Sequence, residues 1–210
     1  MLRKQLLDSG SRGRIVAILQ RGPLTADEIA LALELTAAAV RAHITAMQRD
    51  GIVRRAGQRP GTTRPSQVFE LTPEVEQLLS GAYLPLLIEL VRQSAARIKS
   101  QQFKDLMRAT GRGLAASLPR TASGESFAAR VAAVGALMND QFGSTMRVER
   151  ANGSYTLKGY GCPLAAVTGN HPAVCLAIES LIGAMLDADV EECCDRAQRP
   201  QCCFHVTESA

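Results

Sequence analysis

The sequence predicts an α+β chain, and three observations predict it. Helical periodicities fill most of the chain up to residue 141, broken once by a basic Gly/Pro-rich stretch between two short β-type runs. A second hairpin signal, Asn152-Gly153, lies between two later β-type runs. All six cysteines, Cys162, Cys175, Cys193, Cys194, Cys202 and Cys203, fall in the last third.

Composition narrows the class. Hydrophobic residues make up 46% and charged residues 21%, the balance of a globular chain. The apolar stretch from Val174 to Leu186 is interrupted by Glu179, Ser180 and Gly183, so it does not read as a membrane span. The start, MLRKQLLDSGSRGR, lacks the apolar core of a secretory signal. A cytoplasmic location is therefore expected, where thiols stay reduced and clustered cysteines hold metals more often than bridges. Residues 1–70 carry 11 Lys/Arg against 6 Asp/Glu, net +5, whereas residues 71–210 carry 13 against 14, net −1. The positive excess sits wholly in the first third, as a segment facing a polyanion requires.

The first helix is read from Arg12 to Gln20, with Ile15, Ile18 and Leu19 on one face and Gly22-Pro23 after it. Thr25-Ala-Asp-Glu28 has the form of a capping box, opening a second helix with Ile29 and Leu33 inward. Glu34-Leu35 makes the turn, and Thr36 is the N-cap of a third helix over Ala37–Asp50. Val40, Ile44 and Met47 face its core, which leaves Ala38, Arg41, Ala42 and Thr45 outside, small or basic as a helix approaching base edges needs. Ile52–Arg55, a basic loop and Gln67–Leu71 form a hairpin whose Arg54, Arg55, Arg59 and Arg64 suit phosphate contact. Three helices and this hairpin make a winged helix-turn-helix over residues 1–73. The expected DNA-contacting residues are Thr36, Ala38, Arg41, Thr45, Arg54, Arg55, Arg59 and Arg64.

Residues 74–120 read as a helical segment. Leu84, Ile88, Val91, Ala95 and Ile98 follow a heptad-like spacing, and a helix-turn-helix that reads two half-sites needs a dimer. This helix is accordingly expected to pair two copies. A second helix follows over Gln102–Ala116, and the Thr121–Ser126 stretch forms a hinge.

Residues 121–210 form the third part, an α+β module holding the cysteines. A helix over Glu125–Gln141 turns Phe127, Val131, Val134 and Met138 inward. Strands Thr145–Arg150 and Tyr155–Tyr160 lead into Gly161-Cys162-Pro163, and Pro172 opens a helix running to Leu186. Short strands Val190–Cys194 and Cys202–Val206 close the chain. Cys162 sits on a rigid turn, and Cys175 lies in the first turns of a helix, where exposed amides favour thiolate. One member of each late pair completes four thiolates, a set that suits an iron–sulfur cluster or tetrahedral zinc. The 12 residues between Cys162 and Cys175 are unlike the tight C-x-x-C knuckle of structural zinc and favour a cluster. Neighbours on a strand point to opposite faces, so the ligand set reads as Cys162, Cys175, Cys194 and Cys202, with Cys193 and Cys203 left as core residues or substitutes. His171 and His205 lie close enough in sequence to be alternative ligands. A metal-free thiol redox switch uses the same residues differently. Asp187, Asp189, Glu191 and Glu192 read as a solvated acidic rim, and with no nucleophile–base pair or Gly-rich phosphate loop the chain is expected not to be an enzyme.

The basic wing with its Arg-Pro steps, the helical middle and the order Cys162-Pro163, Cys175, Cys194, Cys202, then Phe204, resemble the SufR-type iron–sulfur repressors, grouped with DeoR/ArsR-like winged-helix regulators. The likeness spans nearly the full chain, and the Cys162–Cys175 spacing fits that group while the later spacings differ from it. The resemblance implies a homodimeric repressor that binds a double-stranded DNA operator. It implies that a [4Fe-4S] or [2Fe-2S] cluster on the four cysteines controls operator affinity. The alternative is a structural or sensory zinc.

Overall fold

The computed structural model describes residues 10–60, 65–120, 124–151, 153–196 and 200–209. Arg64, Thr121, Ser123 and Asn152, which the sequence assigned to wing, hinge and turn, lie outside the described residues. The fold is α+β, and the chain divides into two compact units, residues 1–83 and 84–210.

In the first unit, α1 (Gly10–Leu19), α2 (Ala26–Leu33) and α3 (Ala37–Arg49) pack around a core of Ile15, Ile29, Val40, Ile44 and Met47. The capping box forms in both directions: the Thr25 amide donates to Glu28 Oε2 at 2.7 Å and the Glu28 amide to Thr25 Oγ1 at 3.2 Å. Glu34 takes the left-handed conformation at φ 56° and ends α2, which lets Leu35 donate back to Ala30. Thr36 caps α3 by accepting from the Ala39 amide at 3.2 Å. The wing consists of β2 (Val53–Arg59) and β3 (Ser66–Leu71), antiparallel, with an irregularity between Arg55 and Gly57. Two features go beyond the sequence reading. Leu24–Thr25 forms a two-residue strand, β1, against β3. Thr72-Pro73, read as the end of the wing, opens a further helix, α4 (Pro73–Leu79), which buries Val75 and Leu79 in the same core.

The second unit begins with α5 (Tyr83–Arg97) and α6 (Ser100–Ser117). The expected seam on α5 splits. Val91 is buried, and Ala95 and Ile98 pack with Phe103, Met107 and Val174, whereas Leu84 and Ile88 are exposed. α7 (Phe127–Phe142) then packs on β4 (Met146–Ala151) and β5 (Ser154–Gly159). A short α8 (Ala165–Thr168) and a 3-10 turn over Pro172–Val174 lead into α9 (Cys175–Leu186). The last strands, β6 (Ala188–Glu192) and β7 (Cys203–Glu208), complete an antiparallel sheet in the order β4-β5-β7-β6. β6 stops two residues before the expected Cys194 and β7 starts one residue after the expected Cys202, so Cys193, Cys194 and Cys202 fall in the connection between them.

The tightest crossing in this unit is that of α6 on α9. It depends on Gly111, where an added Cβ would run into the Ala177 carbonyl and lie 2.9 Å from the Leu181 amide nitrogen. Both obstacles are backbone, so neither can rotate away. Gly111→Ala is therefore expected to destabilise the second unit by about 1–3 kcal/mol despite the helix propensity gained. Gly113→Ala, two residues on and meeting nothing within 4 Å, serves as the control in denaturant unfolding.

Candidate DNA-contact surface and thiol site

On α3, Thr36, Ala38, Arg41 and Thr45 are all exposed, as the inward placement of Val40, Ile44 and Met47 demands. Thr45 Oγ1 donates to the Arg41 carbonyl at 2.9 Å, which orients its methyl group. Three of the four described arginines already hold carboxylates: Arg41 with Asp27, Arg54 with Glu70 and Arg59 with Glu28, each at 2.7 Å. Arg59 also donates to the Pro23 carbonyl at 2.8 Å, which ties the wing strand to the start of α2. Among the described residues Arg55 has no ion pair. Exposed pairs of this kind contribute about 0–1 kcal/mol, so a phosphate can replace the carboxylate at little cost.

In the second unit the four cysteines expected as ligands are free thiols that lie side by side. Their side chains interact pairwise along the row, Cys175 with Cys194, Cys194 with Cys202, and Cys202 with Cys162. They come from three places: the turn after β5 (Cys162), the first residue of α9 (Cys175) and the β6–β7 connection (Cys194 and Cys202). The Gly159 amide donates to the Cys202 carbonyl at 2.8 Å, and a Cβ on Gly159 would lie 3.6 Å from the Cys202 Cβ. The same Cβ would lie 2.9 Å from the Ser144 carbonyl oxygen and 3.2 Å from the Gly161 carbonyl oxygen, so the glycine lets the end of β5 pass close to the backbone of the Cys162 turn. The Cys203 amide points at Cys194 Sγ, 3.3 Å away.

Cys193 and Cys203, left by the sequence as core residues or substitutes, are joined to each other in a disulfide with Cα atoms 4.8 Å apart. Their backbones also bond, Cys193 N–H to the Cys203 carbonyl at 2.8 Å, so the bridge fixes the connection immediately beside Cys194 and Cys202. The two histidines stand elsewhere. His171 sets its ring edge-on to Phe103, and His205 Nδ1 shares a hydrogen bond with Thr156 Oγ1 at 3.0 Å.

The acidic rim needs correction at Glu192. Instead of facing solvent, it is half-buried, accepts from the Cys194 amide at 2.6 Å and pairs with Arg196. One carboxylate oxygen lies within 4.8 Å of both Cys175 Sγ and Cys194 Sγ. Arg196 in turn hydrogen-bonds the Cys175 thiol. Sequence spacing flagged neither residue, although an Arg four places after a Glu next to a cysteine pair was the available signal.

The row of thiols is electrically graded. A hydrogen bond from Cys202, with help from the Leu164 amide and the Thr168 hydroxyl, holds Cys162 down at about 6 against the opposing effect of burial. The other three are pushed up. For Cys175 the hydrogen bond with Cys194 is the main cause, followed by burial. Cys202 rises to about 12 because it donates to Cys162, and burial adds to this. For Cys194 the help from Cys175 is outweighed by Cys202 and burial, again giving about 12. A thiol whose acidity is raised by folding is ionised above its folded pKa, so alkylation of Cys162 in the metal-free chain should climb through pH 6 and level off above it. Peptide mapping after iodoacetamide treatment at pH 7 should find Cys162 labelled first. Equal labelling of Cys175 or Cys202 would contradict this grading.

Several proteins show likeness to parts of this chain. No curated protein matches it. Among solved structures, apo Lactococcus lactis ZitR, a double mutant, is 14% identical over 49% of this chain and 76% of that one, with a TM-score of 0.30. A Staphylococcus aureus MepR mutant bound to an oligodeoxyribonucleotide is 19% identical, covering 56% and 86%, with a TM-score of 0.31. Bacillus subtilis PadR in complex with operator DNA is 12% identical over 83% and 94%, with a TM-score of 0.29. Residues 6–56 match the family described as a helix-turn-helix domain, the segment that the structure builds from α1, α2 and α3 and the start of the wing.

Proposed function

We propose that the chain is a DNA-binding transcriptional repressor, not an enzyme, and works as a homodimer. We further propose that an iron–sulfur cluster held by Cys162, Cys175, Cys194 and Cys202 controls its operator affinity. The observation carrying the sensor reading is the row of four free thiols, drawn from three separate elements, beside two cysteines that are bonded to each other. Four neighbouring free thiols, partly enclosed by the apolar cluster of the second unit, offer the donor set of such a cluster.

A cluster bound there supplies iron–thiolate bonds whose loss or oxidation is the sensed event. The chain's own residues prepare for it. Arg196 brings a positive charge to Cys175, Glu192 holds the Cys194 amide, and the Cys193–Cys203 bridge keeps Cys194 and Cys202 at one place. The DNA reading rests on α3, whose outer face carries Ala38, Arg41 and Thr45, and on the wing arginines. A zinc reading has one observation in its favour, the grouping of Cys175, Cys194 and the Glu192 carboxylate within 4.8 Å.

Protein purified without oxygen should be brown, contain iron and acid-labile sulfide, and lose both when any one of Cys162, Cys175, Cys194 or Cys202 is changed to Ser. A colourless zinc protein that tolerates Cys162→Ser and fails with Glu192→Gln would establish the second reading instead. In gel shifts the loaded protein should bind a palindromic operator more tightly than the metal-free protein, and equal affinity would sink cluster control.

The dimer reading rests on α5. Tyr83, Leu84, Leu86, Leu87, Ile88 and Leu90 are 38–61% exposed, surrounding the first half of the helix with apolar surface that a monomer leaves in water. Light scattering should give twice the chain mass for the native protein and the chain mass for Leu86→Glu/Leu90→Glu. A native chain that remains monomeric at micromolar concentration would refute pairing.

A further inference from the structure

Beside the thiol row, and sharing Glu192 and Arg196 with it, the second unit has a cleft with a cavity volume of about 580 Å³. Small-molecule sites fall in this size range. Its walls are cationic: Lys104 and Arg108, four residues apart on one face of α6, and Arg196 from the β6–β7 connection. Its floor is apolar, with Phe103 and Leu176, and the edge of His171 meets Phe103 at a centroid distance of 6.4 Å.

The charges do not cancel. Glu192 is the sole carboxylate in the lining, and it already serves Arg196 and the Cys194 amide. Lys104 has neither ion pair nor hydrogen bond among the described residues. Arg108 holds Asp105 at 3.2 Å, an exposed and easily exchanged partner on the same helix, and its charge also acts on the half-buried Glu179 of α9. Arg196 presents a buried Nε with no acceptor among the described residues. A buried donor without a partner is rare in a native fold and marks a place where an acceptor is missing.

We infer that this cleft is a binding site for a small organic anion, a carboxylate or phosphate on a compact apolar body. Lys104, Arg108 and Arg196 take the charged head, and Phe103 and Leu176 take the body. Planar oxyanions suit a guanidinium fork, and an apolar floor selects against free inorganic ions. Arg196 stands in both places, since its charge also acts on the Cys175 thiol. A bound anion therefore competes with Cys175 for the same guanidinium. The site follows from the packing of α6 against the 170–176 segment and does not depend on which metal the thiols hold.

Isothermal titration of the full chain with benzoate and with phenyl phosphate tests this, and the tighter of the two identifies the preferred head group. We expect one saturable site per chain. Lys104→Glu/Arg108→Glu should weaken it by at least about tenfold. Arg112→Glu, on α6 but outside the cleft, should leave it unchanged. Lys104→Ala, which removes one exposed charge without reversing it, should weaken it in the same direction and guards against misfolding of the double variant. Titration of cluster-loaded and metal-free protein should both show the site, which separates failure of this inference from failure of the cluster reading. No saturable heat with either probe at millimolar concentration, or binding unaffected by the double variant, overturns it.

Discussion

The central position of β7 is the constraint on which the second unit depends. It pairs with β5 on one side and β6 on the other, which brings three remote parts of the chain to one end of the sheet. Through β5 it places Cys202 beside the turn that carries Cys162, and through β6 it places Cys194 against the Cys203 amide. α9 packs close to β6 and delivers Cys175 from its first residue. Had β7 joined the edge of the sheet instead, Cys202 could not stand between Cys162 and Cys194. The disulfide and the backbone bond between Cys193 and Cys203 reinforce this arrangement.

Local chemistry made the first unit legible. The capping box at Thr25–Glu28, the Thr36 cap and the second wing strand arise from short-range patterns and formed where their residues pointed, whereas the first wing strand, read as ending at Arg55, continues to Arg59. What escaped was β1, a two-residue strand that exists only because β3 offers it an edge, and α4, whose seven residues carry too little periodicity to announce a helix. Strand alternation was the ground for choosing Cys194 and Cys202 over their neighbours, yet both lie in the connection between β6 and β7 and not on a strand. Cys193 and Cys203 stand apart because they face each other across the ladder, not because they enter the core. Glu192 and Arg196 were invisible because their importance comes from being folded onto Cys175, seventeen residues or more away in sequence.

The two units also distribute their polar groups differently. In the first, ion pairs are exposed and peripheral, while the interior holds aliphatic side chains. In the second, polar groups are drawn inward: the Ser144 hydroxyl bonds the Met138 carbonyl at 2.8 Å, and Asn139 donates to the Met146 carbonyl at 2.8 Å. Satisfied buried groups of this kind favour one arrangement over close alternatives.

The arginine–carboxylate pairs on the first unit carry a consequence for ionic strength. Counterion release grows with the number of phosphates a surface neutralises, and an arginine that arrives with its own carboxylate neutralises less than one that arrives alone. With Arg41, Arg54 and Arg59 each so accompanied, the response of this surface to added salt is set more by Arg55 and by the backbone amides at the start of α3 than by a count of its basic residues.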